Sequence, residues 1–321
     1  MPTDESFMHR CLQLAALGLG AVQPNPMVGA VIVHEGIIIG EGYHHAYGEA
    51  HAEVNAIASV QDPSLLPHST LYVSLEPCSH YGKTPPCADA IIAHGIPKVV
   101  VGTQDYHSKV NGAGIRKLQE AGVEVVMPVS EEACVELNRR FFTYHREHRP
   151  YVILKWAQTA DGFMDIDRSE EHPSNYWITN PALRVITHQW RSEEDAILVG
   201  WRTMYNDHPQ LTTRLFPGKD PQRFVMQRGE DIISDLPYTP LPSDIPTALS
   251  ILYEHKIQSV IVEGGRQTLE RFIAEDAWDE ARILIGDCRF EKGLKAPVLP
   301  QQPCRVETID HNQIVYVRRH L

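Results

Sequence analysis

The sequence predicts two domains, the first an α/β/α sandwich on a partly parallel sheet, and three observations lead there. The chain has 321 residues, more than one ordinary domain holds. Between residues 28 and 127, short runs rich in Val and Ile alternate with helical patterns, the order that builds a sheet covered by helices. A charged helical stretch then stops at Arg149-Pro150, where a new strand-like run begins. The boundary is therefore placed near residue 148, giving domains 1–148 and 149–321.

Residues 4–19 carry Phe7, Met8, Cys11, Leu12, Ala15 and Leu19 at three- and four-residue spacing. This spacing predicts an amphipathic helix with Thr3 as N-cap, ended by Gly18 and Gly20. Pro24-Asn25-Pro26 follows as a stiff loop, in which Asn25 is either an ordinary turn residue or a presented polar contact. Residues 28–33 and 37–43, joined by His34-Glu35-Gly36, predict a β-hairpin with His44 and His45 at its end. Next come a helix from His51, a strand over 70–75, a helix over 86–94, a strand over 98–102, a helix over 115–121 and a strand over 123–127. Residues 130–145, acidic at the start and basic toward the end, predict one connecting helix.

Charge narrows the function. With 29 Lys and Arg against 41 Asp and Glu, the formal net charge is -12, which argues against a nucleic-acid partner. Six cysteines lie at irregular spacings, and no charged-then-apolar leader opens the chain, so free thiols and a cytoplasmic location are expected. No apolar run approaches the ~20 residues of a membrane span.

The chemistry concentrates in His51-Ala52-Glu53, Pro77-Cys78 and Cys87. One imidazole and two thiolates fill three tetrahedral positions on Zn²⁺ and leave the fourth for water, as in catalytic zinc sites. An H-x-E followed by P-C and a second Cys is the signature of zinc-dependent nucleobase deaminases, whose Glu shuttles protons and binds no metal. Glu53 is that residue here. Residues two apart on a regular helix point to nearly opposite faces, so His51 and Glu53 are expected to converge only within its first turn.

In EPCSHYGKTPPCADAII, residues 76 to 92, eight residues separate the two Cys. That stretch, together with PNPMVGAVIV from Pro24, EGYHHAYGEAHAEV from Glu41 and WIT at 177 to 179, resembles the bifunctional riboflavin-biosynthesis deaminase-reductases. The resemblance implies a cytidine-deaminase-like first domain and a dihydrofolate-reductase-like second one. It implies hydrolytic deamination of a diaminopyrimidinone ribosylamine 5′-phosphate at zinc, then NADPH reduction of the ribosyl chain to ribityl. By the same likeness Asn25 and His44 contact the deaminase substrate, and Lys83, otherwise a solvated loop lysine, holds its phosphate.

In the second half the resemblance rests on LKWAQTADG from Leu154, on Trp177-Ile178-Thr179 before Asn180-Pro181, on TMYNDHPQLTTR from Thr203, and on Val260 to Gly265. It puts Ala157, Trp177, Thr203, Asp207, Gly264 and Gly265 on the cofactor, and Asn175, Arg191, Leu211, Arg214 and Glu263 on the substrate. Lys155 is a candidate to polarise the sugar carbonyl. Gly264-Gly265 before a helix either exposes amides to a phosphate or makes a tight turn. Arg191 and Arg214 either grip a phosphate or serve solubility. The chain departs from the family where Asn175, with Ser174 beside it, replaces a Ser, and where Gln227-Arg228 replaces Asp-Ser. No G-x-G-x-x-G is present. A deaminase whose second half is not catalytic, and a nucleic-acid-editing or RNA-binding protein, are the alternatives. The expected partners are a nucleotide-like small molecule and further copies of the chain.

Overall fold

The computed structural model describes residues 2–81, 85–105, 112–166, 177–227 and 238–319. The chain divides into two compact units, Met1–Glu147 and His148–Leu321.

In the first unit, Thr3 and Ser6 exchange side-chain and backbone hydrogen bonds in a capping box that starts α1 (Asp4–Ala16). The helix stops before residue 19 because Leu17 and Gly18 bond three residues back and tighten the chain into turns. Strands β1 (Gly29–His34) and β2 (Ile37–Tyr43) form the expected antiparallel hairpin, with Glu35 and Gly36 both at positive φ in the turn. Then follow α2 (Ala52–Ala58), β3 (Thr70–Leu75), α3 (Cys87–Ala93), β4 (Lys98–Thr103), α4 (Ala113–Glu120) and β5 (Glu124–Val126).

These strands make one sheet in the order β2-β1-β3-β4-β5, parallel across β3, β4 and β5. Strand alternation sorts the apolar residues between two faces. Ala30, Ile32, Leu71, Val73 and Val99 pack under α2, α3 and α4; Val31, Tyr72 and Val100 pack under α1. Each buried Val, Ile or Leu among them contributes about 1.5–3 kcal/mol. The result is the sandwich expected. A Cβ on Gly42 would lie 2.3 Å from the Ala56 nitrogen, so glycine lets α2 sit directly on β2.

The connecting helix is two: α5 (Glu131–Leu137) and α6 (Arg139–Glu147). Between them Asn138 is buried, and its side-chain amide both accepts from Met27 N and donates to Met27 O at 2.8 Å. Asn138 leaves the helical region, at φ -99 and ψ 22, where it makes these bonds.

The second unit contains β6 (Tyr151–Gln158), β7 (Phe163–Asp165), α7 (Pro181–Glu193), β8 (Ala196–Gly200), α8 (Trp201–Asp207), β9 (Gln222–Met226) and β10 (Thr239–Leu241). After these come α9 (Ile245–Glu254), β11 (Ser259–Val262), α10 (Arg266–Ala274), β12 (Glu280–Ile285), β13 (Leu294–Lys295), β14 (Pro303–Ile309) and β15 (Asn312–Arg318). The main sheet runs β10-β9-β8-β11-β6-β12-β15-β14, parallel through β12 and antiparallel beyond it. One face packs on α9 and α10 through Leu249, Leu252, Leu269 and Phe272; the other packs on α7 through Leu183 and Trp190. Arg149 starts β6 by gripping Asp279 with two bonds of 2.6 and 2.7 Å. No helix among the described residues is long and apolar enough to cross a membrane.

Candidate active sites

His51 is the N-cap of α2, in extended backbone, and is not part of the helix. This lifts the constraint on residues two apart: the imidazole comes from the entering segment, and Glu53 from the first turn. Cys78 follows β3 through Glu76-Pro77, and Cys87 opens α3 directly after Pro86. His51 Nδ1 lies 3.5 Å from Cys78 Sγ and 3.3 Å from Cys87 Sγ, and all three donor atoms fall within 4.8 Å of one another. A tetrahedral zinc with Zn–N of about 2.0 Å and Zn–S of about 2.3 Å needs donors roughly 3.5 Å apart. The residues fit that ion.

Of the two thiols one is favoured as thiolate: the bond between them and then burial push Cys87 up, while Cys78 is lowered. Hydrogen bonding from the Cys87 thiol holds Cys78 down to about 4, against burial and with help from His51. The Cys87 backbone N–H also donates to Cys78 Sγ at 3.3 Å. Glu53 is buried beside the sulfurs, and burial first, the Cys78 charge second, push its carboxyl up to about 7.

Asn25 and His44 join the same site. The His44 ring stands edge-on to His51 with centroids 5.2 Å apart. Its Nδ1 faces the Ala50 carbonyl at 3.1 Å, which only accepts, so Nδ1 carries the proton. Nε2 is then the acceptor for Asn25 Nδ2 at 3.0 Å. Burial disfavours the charged imidazole, consistent with this neutral form. Lys83 lies outside the described residues.

Glu76 was not among the expected site residues. Its buried carboxylate accepts from four backbone amides, Asp105 at 3.2 Å, Gly112 at 3.0 Å, Gly114 at 2.9 Å and Ile115 at 3.4 Å. A Cβ on Gly114 would stand 1.9 Å from the Pro77 carbonyl oxygen. The amino end of α4 is thus fastened to the strand end that presents Cys78. The available signal was an acid at the end of an apolar strand, immediately before Pro-Cys.

In the second unit, Glu263 follows β11 and meets two cations. Arg191 binds it through Nε at 2.9 Å and Nη2 at 2.8 Å, and Lys155 Nζ from β6 lies 3.4 Å away. Burial opposes the Glu263 charge, yet Arg191 and then Lys155 outweigh it and hold the carboxyl at about 2. Arg191 spends its remaining Nη1 on the Thr212 carbonyl at 3.1 Å, so its fork is taken up within the protein. Arg214 is exposed, and Leu211 is buried in the core with φ 54. His188, one turn before Arg191, is a second residue outside the expected set. It is buried, its Nδ1 has no hydrogen-bond partner among the described residues, and burial, Arg191 and Arg214 all disfavour its charged form.

A cavity of about 1030 Å³ opens beside this triad, and Thr203, Asp207, Glu263, Gly264 and Gly265 line it together. The Gly265 N–H is taken by Thr203 Oγ1 at 3.0 Å. Trp177 stands apart, exposed, with the Arg184 guanidinium 4.5 Å over its ring. Ala157 is half-buried in β6 opposite Leu284. Asn175, Ser174 and Arg228 lie outside the described residues.

Residues 1–103 match the family model of the cytidine and deoxycytidylate deaminase zinc-binding region, and residues 150–288 match that of the RibD C-terminal domain. The chain is 35% identical to the riboflavin biosynthesis protein RibD of Aquifex aeolicus, over 99% of either chain. It is 39% identical to that of Bacillus amyloliquefaciens, over 88% of this chain and 85% of the relative. Among solved structures, a diaminohydroxyphosphoribosylaminopyrimidine deaminase/5-amino-6-(5-phosphoribosylamino)uracil reductase from Thermotoga maritima superposes with a TM-score of 0.86 at 36% identity, covering 98% of each chain. RibD of Acinetobacter baumannii superposes with 0.88 at 29% identity, also over 98% of each.

Proposed function

The chain belongs to the RibD family of bifunctional riboflavin-biosynthesis enzymes, a deaminase of cytidine-deaminase-like fold joined to a dihydrofolate-reductase-like reductase, and on that premise we propose how its residues divide the work. The first half deaminates 2,5-diamino-6-ribosylamino-4(3H)-pyrimidinone 5′-phosphate. The second reduces the ribosyl chain of the product to give 5-amino-6-ribitylaminouracil 5′-phosphate.

His51, Cys78 and Cys87 would hold zinc, which would supply the Lewis acidity that makes a water nucleophilic near neutral pH. Glu53 would take one proton from the attacking water and deliver it to the ring nitrogen, then take the second from the resulting hydroxyl and deliver it to the amine, which leaves as ammonia. Neutral His44 fixes Asn25, whose carbonyl oxygen is then presented to the pyrimidine. Lys83 holds the phosphate as a point charge. The observation that carries this reading is the His51, Cys78 and Cys87 cluster with Glu53 buried against it.

In the reductase half, the cavity lined by Thr203, Asp207, Gly264 and Gly265 would hold NADPH, which would supply a hydride to the carbonyl carbon of the opened sugar. Ala157 and Trp177 complete the cofactor side. Lys155 Nζ polarises the carbonyl of the opened sugar, and Glu263, balanced by Arg191, keeps that ammonium in place. Arg214, Leu211 and Asn175 complete the substrate side. Six free cysteines suit a reducing, cytoplasmic setting, and further copies of the chain are the expected protein partner.

The test is a coupled assay on purified protein. Ammonia release from the diaminopyrimidinone should precede NADPH oxidation, and the deaminated compound alone should support oxidation. Ammonia without any oxidation would leave a deaminase with a non-catalytic second half.

A further inference from the structure

We propose that Arg202 recognises the 2′-phosphate of the dinucleotide and thereby sets the preference for NADPH over NADH. The proposal rests on the reductase reading above and assigns one residue of this chain to one group of the cofactor.

The cavity follows the carboxyl ends of neighbouring parallel strands. Glu263 to Gly265 come after β11, Gly200 to Thr203 after β8, Met226 and Gln227 at the end of β9, and Ser243 beyond β10. Lys155 and Glu263 fix the reacting end, at β6 and β11. From β11 to β10 there are three inter-strand steps of about 4.8 Å, roughly 14 Å in all. A dinucleotide whose nicotinamide meets Glu263 therefore extends its adenosine half toward β9 and β10.

Three arginines line this cavity: Arg202, Arg266 and Arg271. Arg266 is paired with Glu270 at 2.6 Å. Arg271 donates to the Ser243 carbonyl at 2.6 Å and lies 3.6 Å from Glu275. Among the described residues, Arg202 alone of the three makes no hydrogen bond or ion pair. It follows β8, whose end is in register with β9 through Gly200 and Met226.

An exposed guanidinium with its fork free, in the wall of the cleft and one strand from β9, suits a phosphate monoester better than a hydroxyl. Dinucleotide sites in general discriminate in this way, with an acid taking the 2′-hydroxyl of NADH and an arginine accommodating the 2′-phosphate of NADPH. At the β9 and β10 ends the cavity is lined by Gln227 and Ser243, with Arg271 on the Ser243 carbonyl; its acids are Asp165, Asp207, Glu263 and Glu270, of which Glu263 and Glu270 are paired with cations.

Calorimetric binding of NADP⁺, NAD⁺, 2′,5′-ADP and 5′-AMP to the full chain, wild type and Arg202→Gln, tests the assignment, with Arg202→Lys as the conservative control. Loss of a charge-assisted phosphate contact should weaken NADP⁺ and 2′,5′-ADP by about tenfold or more while NAD⁺ and 5′-AMP stay within about twofold. Arg202→Lys should fall between. An unchanged ratio of NADP⁺ to NAD⁺ affinity, or equal weakening of both, would overturn the role of Arg202 and leave the reductase reading intact. A wild type that binds neither dinucleotide would instead overturn the reductase reading itself.

Discussion

Around His51 the protein gathers lone-pair donors, two sulfurs and an imidazole nitrogen within 4.8 Å, a set that becomes electrostatically complete only with a cation. Around Glu263 it gathers one carboxylate with two cations of its own, 2.8 to 3.4 Å away, a set already complete. The first arrangement demands particular residue types at particular places, and it can be read as a motif. The second supplies its own counter-charges, two cations to one carboxylate, so each member looks like an ordinary charged residue until the fold brings residues 155, 191 and 263 together. Sites that borrow their balancing charge from a cofactor are more legible than sites that supply it themselves.

The comparison can be broken most forcefully at the metal. Cys78→Ala should take zinc, by elemental analysis, from about one equivalent per chain to background, and lower ammonia release about 10⁴-fold or more. NADPH oxidation with the deaminated compound should be unchanged. Glu53→Gln sharpens the point: it should keep its zinc yet lose about 10² to 10⁴-fold in deamination. Normal turnover in that variant would remove Glu53 from the reaction.

At the self-balanced site the larger effect should be on stability. Glu263→Gln leaves Arg191 and Lys155 as buried, uncompensated cations and should cost about 3–5 kcal/mol. All five tryptophans lie beyond residue 148, so their fluorescence follows denaturation of this half alone. Because Glu263 is held at about 2 in the fold, below its ordinary 4.5, its contribution is full above 4.5 and is lost as pH falls toward 2. The wild-type denaturation midpoint should therefore fall more steeply over that window than the midpoint of Glu263→Gln. Asn138→Ala should cost least, about 1–3 kcal/mol, by leaving the Met27 amide and carbonyl unpaired. Residual ammonia release after heating reads it.

How much was legible varies by element for physical reasons. The strand over 70–75 and the hairpin turn announced themselves through apolar runs and Glu-Gly punctuation. The division of the connecting helix did not, because the partner of Asn138 is Met27, 111 residues earlier, and local spacing carries no trace of it. α8, α9, β12 and the β14–β15 hairpin went unread, since loops and masked periodicity surround them. Within the sites, the metal trio and Glu53 were visible as letters. Glu76 was hidden because its partners are backbone amides, which every residue carries, and His188 because a lone histidine on an amphipathic helix has no distinguishing spacing.

The four amides that Glu76 collects also bear on engineering. The sulfur-bearing loop of this deaminase is not a portable cassette, since its geometry depends on chain some thirty residues downstream. A transplant of residues 76–92 into another sandwich would have to bring the Gly112 to Ile115 corner with it, or the graft would arrive with a stranded carboxylate and misdirected thiols.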